Sequence, residues 1–331
     1  MKKSLKEKSF LIIDLYSGRD EIKCELFNLK INENDGKYYG YCPPGCGINI
    51  NKLGASKTDN QVNDVMVIYT KRISPKSIER KVIAFSESAT IFRKPQDGRA
   101  LNRTTIIKGK EEVCPYMVVS NSIHNLLTFD IEFLINPLEY GNLYMFRKQR
   151  VFKGKYKELD EKLINYLEFY LSDNSALIYQ DDIHTEDDAE VNAHEENLSS
   201  RRLSFITNQG CRMVNKDGRL AKKAIKAAQF KCEANEDHKT FITSIGYYME
   251  GHHLIPCTCS NAQKFFDERG KNIDCEENIV SLCPTCHRKI HYGATHEKEA
   301  IIKLLYDKKI FNLKSSGLDI SLEELKELYG C

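Results

Sequence analysis

The chain has no tryptophan. It also has no apolar run near the roughly 20 residues that a membrane-spanning helix requires. Runs such as Phe10 to Ile13 are strand-sized. The opening MKKSLKEKSF is basic but carries no apolar core of signal-peptide length, so no secretion signal is read and the protein is expected in the cytoplasm. No internal repeat is found. Net charge is only +2, which argues against a general polyanion binder. Basic residues are missing altogether from Leu163 to Ser200, and Gln180 to Asn197 is densely acidic.

What is present is a globular composition, 41% hydrophobic and 29% charged over 331 residues, enough for two domains with separate cores. The basic residues withheld from the acidic stretch return directly after it. Between Arg201 and Lys231 stand Arg201, Arg202, Arg212, Lys216, Arg219, Lys222, Lys223, Lys226 and Lys231, opposed by Asp217 alone. Such a run is either a phosphate-binding face or a solvated helix surface. The chain has twelve cysteines, and six of them lie between 232 and 286, interleaved with histidines. Without a secretory leader the thiols are expected to stay reduced, and clustered thiols then read as metal ligands.

Residues 8 to about 150 read as strands and turns. SFLIIDLY, DVMVIYT, KVIAF and ATIFRK are β-branched and aromatic runs, with turn chemistry in CPPGCG, KPQDGR and NPLEYGN. Cys42-x3-Cys46 reads as a turn or a metal half-site. Leu159, Leu163, Ile164, Leu167 and Leu171 recur at helical spacing, as core or as a dimer surface. The acidic stretch reads as a linker. The expected domains are therefore a β-rich part over 1–155, a helix and linker over 156–200, and a second domain over 201–331. In the second domain, helices are expected near Gly218 to Phe230 and Glu297 to Phe311. A further one starts at the capping box Ser321-Leu-Glu-Glu324.

Three pieces of the second domain carry chemistry: Glu250-Gly-His252-His253-Leu-Ile-Pro256, Asn278-Ile-Val-Ser-Leu-Cys283-Pro-Thr-Cys286, and His287-Arg-Lys-Ile-His291. The i, i+4 spacing of His287 and His291 places both imidazoles on one helix face. The doublet His252-His253 suits a strand, where neighbours point to opposite faces. A β-hairpin followed by a helix then gathers several imidazoles around one phosphate. Cys283-x2-Cys286 is half of a tetrahedral zinc site and needs two more ligands. Cys232 with His238, or Cys257 with Cys259, can supply them, and the first pair is favoured. Glu250 either orients His252 or forms an ordinary salt bridge. Arg288 and Lys289 are phosphate contacts or solvated surface.

From about Lys216 onward the sequence resembles the HNH (ββα-metal) endonuclease family, in its zinc-containing subgroup. The resemblance implies an α+β protein whose C-terminal domain is a zinc-stapled ββα-metal nuclease with flanking helices. It implies that His252, His287 and His291 hold a catalytic divalent cation, Mg²⁺ or Mn²⁺, with His291 a ligand or a phosphate contact. His253 would be the general base, and Asn278 would fix the loop that presents it. Cys232, His238, Cys283 and Cys286 would hold structural Zn²⁺. In-line attack by water would leave a 5′ phosphate on DNA, with RNA not excluded. Lys222, Lys223, Arg288 and Lys289 would contact the nucleic acid.

The segment Asp64 to Lys94 resembles PUA/EVE-like readers of modified bases, although Phe85 stands where a tryptophan is expected. Tyr38, Tyr39, Tyr69, Phe85 and Phe92 are stacking or core residues. These expectations describe a homodimeric restriction or phage-defence nuclease with an N-terminal sensor. The rivals are a ligand-activated nuclease effector and a silent zinc module that only binds nucleic acid.

Overall fold

The computed structural model describes residues 4–15, 28–41, 47–74, 76–107, 110–146, 150–172, 202–208 and 210–331. The acidic stretch, the Cys42-x3-Cys46 turn and Arg201 lie outside them. The chain divides into two compact units, one of residues 1–126 and 133–168, the other of residues 127–132 and 169–331.

The first unit is built on a mixed sheet. Its strands are β1 (Phe10–Leu15), β2 (Tyr38–Tyr41), β3 (Gln61–Arg72), β4 (Arg80–Gln96), β7 (Tyr116–Ser120), β8 (His124–Asn125), β9 (Glu132–Ile135) and β10 (Arg150–Phe152), while β5 (Thr104–Ile107) and β6 (Lys110–Val113) pair as a separate hairpin. Helix α1 spans Lys157–Leu171. Every residue of β1 is buried, as expected of a strand paired on both edges. It lies parallel to β3 and antiparallel to β10.

The runs KVIAF and ATIFRK, separate in the sequence reading, form one strand of 17 residues. Its length lets β4 serve several partners in turn: β9 at Arg80 and Lys81, β8 at Ala84 and Phe85, and β7 from Ala89 onward. Irregularities along β3 and β4 bend the pair. Inside the sheet, Asp14 on β1 accepts the single Arg80 Nε–H in a bifurcated hydrogen bond, its two oxygens 2.8 and 2.7 Å from Nε, and a further bond from the Thr70 hydroxyl. Burial raises the Asp14 carboxyl, and Arg80 opposes that shift. Cys114 is disulfide-bonded, which corrects the expectation that all thiols are reduced.

Tyr39, Tyr69 and Phe85 are buried in the core, and Phe85 stacks on His124, so these three present no open face to a base. Leu159, Leu163, Ile164 and Leu167 of α1 are likewise buried within the chain. That occupies the stripe considered as a dimer surface.

The second unit contains β11 (Phe205–Asn208), β12 (Cys211–Val214), α2 (Gly218–Ala227), β13 (Glu250–His253), α3 (Cys259–Arg269), β14 (Ile279–Leu282), α4 (Pro284–Tyr292), α5 (Thr295–Ser315) and α6 (Leu322–Leu328). Strands β13 and β14 pair antiparallel, with His252 opposite Val280 and His253 opposite Ile279. They are not joined by a tight turn: α3 is inserted between them. That helix is capped by Thr258, whose side chain accepts from Asn261 N, and it ends at Gly270 with φ +64°. Helix α2 lies on the hairpin. A Cβ at Gly251 would stand 2.7 Å from the Ala221 Cβ, so only glycine permits this close approach. The capping box at Ser321 forms as read from sequence.

The six residues 127–132 supply polar contacts to this unit. Asp130 pairs with Lys216 at 2.6 Å. Glu132 accepts from the backbone N–H and the hydroxyl of Ser260, both at 3.0 Å, in the first turn of α3. Among the described residues, no helix is long and apolar enough to cross a membrane.

Candidate active site

Alternation along β13 sends His252 and His253 to opposite faces. On one face, His252 meets His287 and His291, which rise one turn apart from α4. Ring centroids are separated by 4.9 Å for His252–His287, 4.9 Å for His252–His291 and 5.1 Å for His287–His291. The three donor nitrogens lie within 4.8 Å of one another. Burial, then the neighbouring imidazoles His291 and His287, hold His252 well below the ordinary histidine range. Burial and His287 lower His291 to about 3. These two rings are therefore neutral at physiological pH and offer lone pairs to a cation.

Each ring is held by a partner on its other nitrogen. The Tyr329 hydroxyl donates to Leu254 O at 2.8 Å, so it accepts from His252 Nε2–H, also at 2.8 Å. His287 Nδ1–H donates to Glu250 Oε2 at 2.6 Å. Thr128 Oγ1 lies 2.9 Å from His291 Nδ1. The first two contacts favour tautomers that leave the lone pairs of His252 Nδ1 and His287 Nε2 available, and Thr128 engages Nδ1 of His291. Glu250, which the sequence left either orienting His252 or forming an ordinary salt bridge, bonds His287 instead, because the strand brings it alongside α4. Three imidazole donors fit a divalent cation and leave coordination positions for water or phosphate.

On the other face, His253 Nε2 lies 2.9 Å from Asp274 Oδ1. Asp274 is fixed in turn by accepting from Asp217 N at 2.9 Å. With Nε2–H directed to the carboxylate, Nδ1 is the proton-accepting atom of His253. Asn278 is fully buried and makes three bonds: Ile255 N–H donates to its carbonyl at 2.7 Å, and its amide donates to Ile255 O at 3.0 Å and Ile273 O at 2.8 Å. It ties the segment after β13 to the segment before β14. It contacts neither imidazole cluster through any of these bonds.

The Cys232, His238, Cys283 and Cys286 donor atoms gather within 4.8 Å of one another. His238 Nδ1 lies 3.2 Å from Cys286 Sγ and 3.6 Å from Cys283 Sγ. Cys283 also caps α4, accepting from Cys286 N. A hydrogen bond from Cys286, followed by backbone N–H groups, pulls Cys232 towards the thiolate against its burial. Three sulfurs and one imidazole suit Zn²⁺. The rival pair is placed elsewhere: Cys257 stands with His253 and Asp274, and Cys259 is buried in the core at the start of α3.

Of the four basic residues offered as nucleic-acid contacts, Arg288 is exposed and Lys223 partly so. Lys289 pairs with Glu297 at 3.2 Å. Lys222 is only 7% exposed, because it falls on the inward side of α2, and its assignment to that role is withdrawn. Sequence reasoning missed Asp274, Tyr329 and Thr128. Nothing in their spacing announces them.

Residues 231–295 match the family described as HNH endonuclease. The type IV methyl-directed restriction enzyme EcoKMcrA of Escherichia coli (strain K12) is 36% identical over 59 residues, covering 18% of this chain and 17% of that protein. The chain therefore spans only about a sixth of that relative by this match. The structure of the type IV phosphorothioation-dependent restriction endonuclease ScoMcrA aligns over 92% of this chain and 53% of that one, at 12% identity and a TM-score of 0.24. That likeness is too low to carry an argument. The matched segment contains all four clustered histidines and the cysteine tetrad, and residues 231–295 form an HNH endonuclease domain.

Proposed function

We propose that this protein hydrolyses DNA phosphodiester bonds as a metal-dependent endonuclease of restriction or phage defence. One observation carries the reading: three imidazoles converge on one face of β13, while a carboxylate-held histidine occupies the other. In this reading His252, His287 and His291 hold Mg²⁺ or Mn²⁺. When bound, that cation supplies Lewis-acid stabilisation of charge on the phosphate and the leaving oxygen. His253 Nδ1 takes the proton of the attacking water, and Asp274 keeps the ring oriented and stabilises the imidazolium that results. Asn278 is a positioning residue that fixes the strand ends around the doublet. Cys232, His238, Cys283 and Cys286 bind Zn²⁺ and secure the first turn of α4.

DNA as substrate is supported by the restriction enzyme EcoKMcrA, which resembles this chain over its nuclease segment. In this reading Arg288, Lys223 and Lys289 would contact phosphates. The first unit would select the target DNA, by modification or by another mark, with the core aromatics Tyr39, Tyr69 and Phe85 excluded as its stacking surface. One site cuts one strand, so a duplex break calls for a homodimer.

The test is cleavage of plain, methylated, hydroxymethylated and glucosylated DNA with Mg²⁺ or Mn²⁺. His253→Ala is expected to lose about 10²- to 10⁴-fold in rate, with zinc content and DNA binding unchanged. Full activity in that variant overturns the assignment. Equal cutting of all four substrates removes the selective role of the first unit.

A further inference from the structure

The face of β13 that carries His253 holds a group that the hydrolytic reading does not use. Cys257 is 1% exposed and belongs neither to the cysteine tetrad nor to the histidine triad. Its sulfur, an imidazole nitrogen of His253 and a carboxylate oxygen of Asp274 lie within 4.8 Å of one another. The loop after the doublet brings Cys257 back towards the strand, and Asn278 fixes that loop through both the N–H and the C=O of Ile255. Asp274 is fully enclosed, and the His253 side chain, 14% exposed, is the solvent-facing member. One sulfur, one nitrogen and one oxygen donor form a borderline-soft set that suits Zn²⁺ or Cd²⁺ and is poorly matched to Mg²⁺.

We propose that His253, Cys257 and Asp274 form a third metal site, selective for Zn²⁺-like ions, whose occupation switches off the general base. The inhibitory consequence rests on the nuclease reading, whereas the site itself does not.

The chemistry follows from which nitrogen is engaged. His253 Nε2 is the atom beside Asp274, at 2.9 Å. An ion bound there takes the Nε2 lone pair, so the Nε2 proton leaves and the neutral ring carries its proton on Nδ1. The Cys257 thiol gives up its proton to solvent and binds as thiolate, and Asp274 binds through a carboxylate oxygen. No bond is oxidised or reduced. The atom that must accept a proton from water now carries one. The ion would also withdraw electron density from the ring.

The test uses the full chain with zinc in the cysteine tetrad. Under saturating Mg²⁺, added Zn²⁺ is expected to slow cleavage by wild type about tenfold or more, and to slow Cys257→Ala far less. Cys257→Ser, nearly isosteric, should give an intermediate response. Zinc reaching the histidine triad affects all three proteins alike, so the difference between them is the readout. In ¹¹³Cd-loaded protein, Cys257→Ala should lose one resonance and keep that of the sulfur-rich tetrad, which also shows that the variant is folded. Equal zinc inhibition in wild type and Cys257→Ala overturns the switch. An unchanged set of ¹¹³Cd resonances overturns the site. If the wild type cuts no DNA but the resonance is present and Cys257-dependent, the site stands and the nuclease reading falls.

Discussion

Tyr329 shows how much depends on single atoms here. Its hydroxyl accepts from His252 and donates to the Leu254 carbonyl, so it selects which nitrogen of His252 is left to bind the proposed cation. Tyr329→Phe keeps the ring and removes that selection. Affinity for the catalytic cation is expected to fall about 10- to 100-fold, read by Mn²⁺ titration, with zinc content unchanged. His252 and His291 also leave a mark on stability. Both have native pKa values below the ordinary imidazole value of 6.5, so between that value and their native ones the unfolded chain binds more protons. Stability then rises with pH across this window and is lost as pH falls below about 6.5. Metal-free protein should show a falling urea midpoint from about pH 7 to about pH 5, with a shallower fall in His291→Gln. The histidines, Asn278 and the cysteine tetrad were legible because strand alternation, i, i+4 spacing and CxxC geometry are written in consecutive residues. Tyr329, Thr128 and Asp274 were not, since tertiary packing brings them in from separations of 77, 163 and 21 positions.

Among the elements, α4 does two jobs along its length. Its N-terminal turn carries Cys283 and Cys286, and its body carries His287 and His291. Loosening the first turn should therefore disturb the second function as well. Cys283→Ser is expected to lose zinc, lower the melting temperature and abolish cleavage together. His287→Gln should abolish cleavage while keeping zinc and melting temperature near wild type. Metal analysis alongside thermal denaturation separates the two. Helices α2, α5 and α6 were readable from apolar spacing and caps. Helix α3 was missed because Ala262 and Phe265 are the main apolar residues turned inward from an otherwise polar segment, a stripe too thin to register as a period. Strand β4 was read as two because small and polar residues at Ser86 to Ala89 look like a break. In the structure Ser86 and Ala89 are buried within the continuous strand.

For the whole molecule, the α+β character was legible, since β-rich and helix-rich stretches are segregated along the sequence. The proposed need for two copies has a kinetic signature. Single-strand nicking should rise in proportion to protein concentration, and duplex breakage more steeply, on a supercoiled plasmid followed over a dilution series; equal orders for both products would remove the dimer. The division of the chain was less legible. Residues 127–132 belong with the second unit although first-unit sequence flanks them on both sides, and six residues of ordinary composition give no warning of it. A gene fragment beginning after the acidic stretch would encode every histidine and cysteine of the clusters. It would nonetheless leave His291 without its threonine, Lys216 without its aspartate and Ser260 without its glutamate. Recombination that transplants this C-terminal module into another protein must therefore carry an upstream hexapeptide with it, or find a substitute in the new host.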